Sequence, residues 1–252
     1  KLRDKKYRKR LRAVFRHSAC VLVVSDAMKR KLKRLRCPAH KIRVIRTGVD
    51  LGKFPFRRRK PPGKKGKIKF ISVGRFVPKK GMDILVKAFA KVRKSYPKAR
   101  LILIGDGPEK SRVKRKIRKL GLKSSVRLKG DLPHRKVRKW LRKAHIFVLA
   151  SRTANDGDQE GIPNSLVEAM ASGLPVVSTR HAGIPELVRH KRTGLLAREA
   201  DVNDLAKKMK KMIKWKRKWA GLTRAARALV AKEYNIRRQA RKVERLYRKV
   251  AP

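Results

Sequence analysis

The 252-residue chain has few acidic residues, few cysteines and few aromatic residues. Seventeen Asp and Glu stand against 76 Lys and Arg, so the formal net charge is +59. Two cysteines exclude a disulfide framework and favour a reducing compartment. Aromatic residues make up 6% of the chain and do not interleave the basic runs, which argues against base-specific recognition of nucleic acid.

The chain also has no long apolar run: none reaches the ~18–20 residues that are needed to cross a bilayer. The N-terminus is basic but has no apolar signal core and no initiating Met, so we expect the chain to begin inside a longer protein. None of the six His stands at metal-ligand spacing from a Cys or carboxylate, and we expect no metal and no cofactor. We predict a cytoplasmic protein that can lie peripherally on a membrane.

The positive charge is spread along almost every predicted helix. Such a surface attracts non-specific nucleic acid, anionic membrane surfaces and phosphorylated ligands, with strong salt dependence. The same excess is also typical of solvated faces that were engineered or selected for solubility, because surface charge leaves a core intact. Self-repulsion favours a monomer.

Short apolar runs alternate with amphipathic stretches, which predicts an α/β fold with a parallel sheet flanked by helices. Predicted strands occupy residues 21–25, 42–46, 67–74, 99–105, 125–129, 145–150 and 174–178. Predicted helices occupy residues 5–16, a segment from Asp26, 81–96, 108–120, 134–143, 163–172, a short segment after Pro185, 202–213, 216–231 and 236–249. This order is Rossmann-like, and ligands of such sheets lie at the carboxyl ends of the strands.

The scarce acidic residues gather before and within one predicted helix. Asp156, Asp158, Glu160 and Glu168 fall within 13 positions, and Pro163 suits the first helical turn. The unpaired amides of such a helix opening bind anions. A carboxylate on either side accepts from hydroxyls but repels phosphate, so the pattern favours a sugar–phosphate ligand. We assign no role to Asp156 and Asp158.

An ordered set of motifs resembles the family 4 retaining glycosyltransferases of the GT-B fold. Glu160 and Glu168 match the E-x7-E signature of that family, and Arg75 with Lys80 matches its R-x4-K element. Further matches are residues 104–108, 183–186 and 193–196, and the stretch 25–50 is similar to the crossover between the two domains of these enzymes.

The resemblance implies a nucleoside-diphosphate sugar as substrate, bound without a metal. Arg75 and Lys80 would stabilise the leaving diphosphate, and Glu160 would contact the donor sugar, so these three are the predicted catalytic residues. The predicted donor-binding residues are Arg75, Lys80, Glu160, Gly161, Ile162, Asn164, Ser165 and Glu168. Of these, Glu168 would contact the ribose, and the stretch 161–165 would offer backbone amides.

The resemblance also divides the chain. Residues 1–54 would be the remnant of an N-terminal domain and the crossover, residues 55–66 a basic linker, residues 67–235 the nucleotide-sugar-binding Rossmann-like domain, and residues 236–252 a C-terminal helix. The expected function is hexose transfer to a glycan or lipid-linked acceptor. Because the N-terminal acceptor domain would be missing, we expect binding with little turnover. The alternatives are a basic polyanion-binding protein and an engineered scaffold without catalysis.

Overall fold

The fold is known from a computed structural model that describes residues 5–63 and 66–250. Residues 1–4 and 251–252, the outermost parts of the first and last predicted segments, lie outside the described residues, as do residues 64–65 of the predicted linker.

A six-stranded, fully parallel sheet organises most of the chain. Its strands are β3 (Lys69–Val73), β4 (Arg100–Ile104), β5 (Val126–Leu128), β6 (Ile146–Val148), β7 (Val176–Thr179) and β8 (Leu195–Ala197). They lie in the order β5-β4-β3-β6-β7-β8. A parallel pair, β1 (Val21–Val23) and β2 (Ile42–Val44), forms a second, small sheet.

Helices connect the strands. They are α1 (Lys5–His17), α2 (Asp26–Arg34), α3 (Met82–Ser95), α4 (Lys110–Lys119), α5 (His134–Lys143), α6 (Asn164–Ala171), α7 (Ile184–Leu187), α8 (Val202–Lys214), α9 (Trp219–Glu233) and α10 (Ile236–Val250). Short 3-10 turns cover Ala39–Lys41, Pro78–Lys80 and Lys216–Lys218.

The large sheet is buried on both faces because side chains alternate along each strand. Phe70 packs into the core layer on one side, formed mainly by α3 and α8, whereas its neighbour Ile71 packs into the layer of α5, α6 and α9. The same alternation separates Ile146 from Phe147 on β6. Apolar residues on both faces explain why these strands appear as continuous hydrophobic runs in the sequence.

The small sheet has its own core, in which Phe15 and Val23 are buried. It joins the larger unit through the segment after β2 and the junction between α9 and α10. The Val49 amide donates to the Tyr234 carbonyl at 2.7 Å, and the Ile236 amide donates to the Val49 carbonyl at 3.1 Å. The C-terminal helix therefore begins where the crossover segment docks.

The predicted Rossmann-like parallel sheet with flanking helices is confirmed. Strand β8 was missed, because residues 193–196 were interpreted only as a family motif and not as a strand. The predicted helix 216–231 instead opens with the 3-10 turn and continues as α9.

None of the helices that the structure describes is both long enough and apolar enough to span a bilayer.

Candidate functional site

The site lies where the order of the strands reverses. From β3 the chain moves outward to β4 and β5, then returns to the other side of β3 to form β6, β7 and β8. The carboxyl ends of β3 and β6 therefore border a crevice, which is where open α/β sheets bind ligands. The turn after β3 carries Arg75 and Lys80, and the loop after β6 carries Glu160.

Close backbone packing brings these two connections together. Gly81 has a left-handed conformation with φ 60°, and a β-carbon there would lie 2.0 Å from the carbonyl oxygen of Ala150. The Arg152 amide donates to the Lys79 carbonyl at 2.9 Å. Only glycine fits this approach without strain, so the turn after β3 is fixed against the end of β6.

Lys80 and Glu160 form an ion pair across the crevice. The Lys80 Nζ lies 2.9 Å from the Glu160 Oε1, and the two side chains are only 13% and 8% exposed. The contact is ionic rather than a well-directed hydrogen bond, because the same buried Oε1 has no hydrogen-bond partner of good geometry. A ligand that replaces this internal contact would interact with either charge in surroundings with little water, where charge–charge interactions are strong.

Helix α6 opens toward the same loop without a side-chain cap. Pro163 precedes its first residue and makes no side-chain hydrogen bond to the helix. Asn164 is exposed and Ser165 is half-buried, so their amides can meet a ligand. Ile162 is 6% exposed and packs in the core, which leaves only its backbone for binding. These features fit an anion at the positive end of the helix dipole.

Glu168 lies one turn along α6, on a side that faces the crossover segment. It lines a cavity of about 100 Å³ with Val49, Asp50 and Asn164. Burial raises the pKa of the Glu168 carboxyl, and the nearby side chains of His134 and Arg138 offset part of that effect. A half-buried carboxylate in a small cavity is a suitable acceptor for ligand hydroxyl groups.

Gly161 occupies a crowded position beside Val24, which directly follows β1. A β-carbon at Gly161 would lie 2.6 Å from the Val24 Cγ2, and one at Gly183 would lie 2.8 Å from the Gly161 carbonyl oxygen. The small residues of these two motifs therefore allow three backbone segments to approach one another.

Arg75 is exposed and pairs with neither Lys80 nor Glu160. Within the described part of the chain its guanidinium makes no hydrogen bond or ion pair. Together with the closer Lys79, which bonds to Asp158, it lowers the pKa of the Asp158 carboxyl. The structure thus brings Lys80 and Glu160 together and leaves Arg75 at the rim.

Two functional candidates were missed in the sequence because they act through distant contacts. The buried His181 bonds to Glu160 and Glu199. Glu186 accepts from the Asp26 amide at 3.0 Å and the Ala27 amide at 2.8 Å, which caps α2. In the sequence, no His stands at metal-ligand spacing, and residues 183–186 only match a family motif. Neither pattern therefore indicated a role for His181 or Glu186.

Larger cavities lie elsewhere. One of about 610 Å³ is lined by Ile68 and Ala99, which precede β3 and β4, so it lies at the amino ends of the strands. Another, of about 730 Å³, lies between lysines and Trp215. Neither is lined by a carboxylate, and the convergent polar groups identify the crevice as the better candidate. Among residues 5–63 and 66–250, no cluster of His, Cys, Asp and Glu could hold a metal ion.

Comparisons with known proteins bear on the family and the fold of the chain. Residues 53–229 match the family described as glycosyl transferases group 1, and residues 1–53 match the model described as glycosyltransferase family 4. The chain is 39% identical over 196 residues to a putative colanic acid biosynthesis glycosyltransferase, WcaL, of Salmonella typhimurium, covering 78% of this chain and 48% of that protein. It is 36% identical over 222 residues to the amylovoran biosynthesis glycosyltransferase AmsK of Erwinia amylovora, covering 88% and 54%. The chain thus spans about half the length of the curated relatives it matches.

Solved structures share the fold. A glycosyltransferase from Rickettsia africae superposes with a TM-score of 0.83 at 20% identity, covering 98% of this chain and 67% of that one. Anabaena HepE in complex with UDP-glucose gives 0.83 at 23% identity, covering 96% and 68%. Both likenesses extend over the small sheet as well as the large one.

Proposed function

The chain belongs to the glycosyl transferases group 1 family, and from this we propose that it binds a nucleoside-diphosphate sugar and takes part in transferring the hexose to a glycan or lipid-linked acceptor. The observation that carries the proposal is the Lys80–Glu160 pair at the switch point, beside the uncapped opening of α6. In the transfer, the anomeric carbon breaks its bond to the diphosphate oxygen and forms a bond to the acceptor hydroxyl oxygen, whose proton passes to the leaving diphosphate.

Each residue of the crevice has a distinct role in this proposal. Lys80 and the rim residue Arg75 neutralise the leaving diphosphate, which requires no metal. The amides at the opening of α6 hold phosphate oxygens, and Glu160 accepts hydrogen bonds from sugar hydroxyls. Glu168, in its small cavity beside the crossover, accepts from the ribose. Retention of configuration is part of the proposal through the resemblance to family 4.

The relatives suggest the product class. Proteins named for colanic acid and amylovoran biosynthesis are among the chain's relatives, and a structural neighbour was crystallised with UDP-glucose. We therefore propose a role in building a bacterial polysaccharide, with donor and acceptor left to experiment.

The 252 residues are proposed to bind donor with little turnover. The described residues supply one large sheet for the donor and, apart from it, only the two short strands β1 and β2. Robust sugar transfer by the purified chain would contradict this part of the proposal.

The proposal is tested by calorimetric titration with UDP, GDP, UDP-glucose and GDP-mannose in roughly half-molar salt, where the Debye length is about 4 Å. Lys80→Ala and Glu168→Ala should each weaken binding of the preferred nucleotide sugar by about tenfold or more. Lys79→Ala is the matched control, because Lys79 is the adjacent lysine and pairs with Asp158 at 2.9 Å outside the crevice. Equal losses in all three variants, or no binding by the parent chain, would refute the proposal.

A second candidate function is sequence-independent polyanion binding, which the net charge of +59 favours. Nucleic acid or an anionic membrane surface would be held by the basic helices, and the protein would remain a monomer through self-repulsion. This binding does not use the crevice, so the variants above should leave it unchanged.

A further inference from the structure

A buried histidine joins the three segments that follow the neighbouring strands β6, β7 and β8. His181 follows β7, Glu199 follows β8, and Glu160 ends the loop after β6. The His181 Nε2 lies 3.1 Å from the Glu160 amide nitrogen, and its Nδ1 lies 2.9 Å from the Glu199 Oε2. His181 is 1% exposed, so neither contact competes with bulk water.

The direction of these hydrogen bonds determines the tautomer of His181. A backbone amide can only donate, so Nε2 must be the unprotonated acceptor of the Glu160 N–H. The ring hydrogen is then on Nδ1, where it donates to the Glu199 carboxylate. Glu199 thereby selects the tautomer that can hold Glu160.

The same dyad holds both ends of one loop. The other carboxylate oxygen of Glu199 accepts from the Thr153 amide at 2.5 Å, while His181 accepts from the amide of Glu160. Between these points residues 155–159 are exposed, and they bond within their own turn and, through the side chains of Asp158 and Gln159, to Lys79 and Lys31. The position of Glu160, directly before the opening of α6, therefore depends on His181 and Glu199.

We propose that His181, held as the Nδ1–H tautomer by Glu199, is a positioning residue that aims the Glu160 carboxylate at Lys80 and at the donor sugar. This inference rests on the proposed function of the crevice. The ring does not itself reach the ligand; it acts by accepting one backbone hydrogen bond.

A merely structural histidine would matter for its bulk, whereas a positioning one matters for a single acceptor atom. Two substitutions separate these roles. His181→Gln can place its side-chain oxygen near the position of Nε2 and keep the acceptor for Glu160. His181→Asn reaches only the position of Nδ1, so it can satisfy Glu199 but leaves the buried Glu160 amide without its acceptor.

The experiment measures binding of UDP-glucose, GDP-mannose, UDP and GDP by the full chain and both variants, with melting temperatures recorded alongside. His181→Asn should weaken the preferred nucleotide sugar by about tenfold, the factor expected when a buried amide loses its acceptor. Its effect on the corresponding nucleoside diphosphate should be smaller, and His181→Gln should stay within about threefold of the parent chain. Equal weakening by both variants, in proportion to lost thermal stability, would overturn the positioning role.

Nitrogen-15 NMR of the ligand-free chain supplies a readout that does not depend on donor binding. The His181 ring should show a protonated Nδ1 and an unprotonated Nε2, and Glu199→Ala should disturb that pattern. A ring protonated at Nε2 would overturn the inference even if nucleotide sugars bind. If the ring shows the expected tautomer but the parent chain binds no nucleotide sugar, the proposed function fails instead, and with it the role of His181 toward a donor.

Discussion

The Lys80–Glu160 pair is costly in the absence of ligand, because two charges are removed from water for one contact. Its exposures of 13% and 8% leave little solvent to compensate. In the proposed function, an arriving diphosphate would offer Lys80 further negative charge, and a sugar hydroxyl would offer Glu160 a donor. The pair therefore suits a site that exchanges its internal contact for ligand contacts.

Replacing Glu160 with Gln separates the two ligand contacts. The variant removes the charge that competes with phosphate for Lys80, so UDP or GDP should bind at least as well as to the parent chain. The advantage of the sugar nucleotide over the free diphosphate should fall by about tenfold, because a charge-assisted contact to the sugar is lost. Competition titrations measure this ratio.

Asp158→Asn is the matched control for this change. Asp158 lies in the same loop and pairs with the neighbouring Lys79 at 2.9 Å, but is half exposed. Its variant should leave the ratio unchanged. An unaltered ratio in Glu160→Gln would mean that the carboxylate does not contact the sugar.

His145 should make the fold sensitive to mild acid. Burial, followed by the charges of Lys69 and Arg59, lowers the pKa of His145 from 6.5 to about 4. Between these values the unfolded chain binds more protons than the folded one, so stability falls as the pH is lowered from about 6.5 toward 4. Allowing for solvent screening of a half-buried ring, the loss is on the order of 1–2 kcal/mol.

Urea denaturation at several pH values checks this expectation. His145 Nδ1 accepts from the Lys69 amide at 2.9 Å, and the side-chain oxygen of His145→Asn can take over that bond without titrating. The variant should therefore lose stability less steeply below pH 6.5, whereas His40→Asn, at an exposed position, should follow the parent chain. If the stability of the parent chain and of both variants fell equally steeply with pH, His145 would not be the source of the acid sensitivity.

Among single residues, the sequence predicted those that stand out by residue type and by motif spacing, although their binding of a donor stays a prediction. Glu160 and Lys80 could be found because carboxylates are rare here and both belong to spaced motifs. His181 could not be found, because its role depends on contacts 18 and 21 positions away in the chain. Arg75 stays a prediction, since its guanidinium lies at the rim and pairs with neither residue.

Among the elements, α2 is capped by Glu186, which lies 160 positions from Asp26 along the chain. Glu186 accepts from its first amides, and Arg46 joins the cluster at 2.6 Å from Asp26 and 3.2 Å from Glu186. The carboxylate also complements the positive end of the helix dipole. This cluster ties the small sheet and α2 to the large sheet.

Glu186→Ala should loosen α2 without disturbing the large sheet. Charge-assisted bonds to partly buried amides contribute about 2 kcal/mol, so amide exchange over Asp26–Arg34 should accelerate by roughly 30-fold. Hydrogen exchange followed by mass spectrometry resolves the segments. Glu244→Ala, which removes an exposed partner of Arg248 on α10, should change nothing in α2, and unchanged exchange there in Glu186→Ala would refute the capping role.

Elements with a clear apolar pattern were predicted, and these include three-residue strands such as β1 and β5. Helix α3 follows from one apolar face, and β3 and β4 follow from long apolar runs. Strand β8 was not predicted, because its residues were interpreted only as part of a family motif, and its pairing with β7 is set by tertiary contacts. The docking of Val49 between α9 and α10 is likewise invisible to periodicity, because it uses backbone groups from segments almost 190 positions apart.

For the whole molecule, binding of nucleic acid to the charged surface and binding of a nucleotide in the crevice should depend differently on salt. A duplex held by many Lys and Arg loses affinity steeply with salt, by about three orders of magnitude or more between 50 and 200 mM. A diphosphate neutralised by two cations should have a log–log slope of only about −2. Fluorescence anisotropy with a labelled 20-base-pair duplex and calorimetry with a nucleotide sugar measure the two slopes.

Equal slopes would indicate that the nucleotide is held by the positive charge of the whole protein surface and not by the crevice. Net charge describes association and solubility rather than fold, and the six-stranded sheet supports this distinction. A chain with a net charge of +59 still buries both faces of its sheet, because the cations lie on the outer faces of the helices.

The most direct test is a crystal structure of the chain with UDP-glucose or GDP-mannose, whichever binds. The diphosphate should lie at the opening of α6, within hydrogen-bond distance of the Lys80 Nζ, with the sugar beside Glu160 and the ribose beside Glu168. A nucleotide bound instead in the lysine-lined cavity beside Trp215, with the Lys80–Glu160 pair intact, would contradict the account.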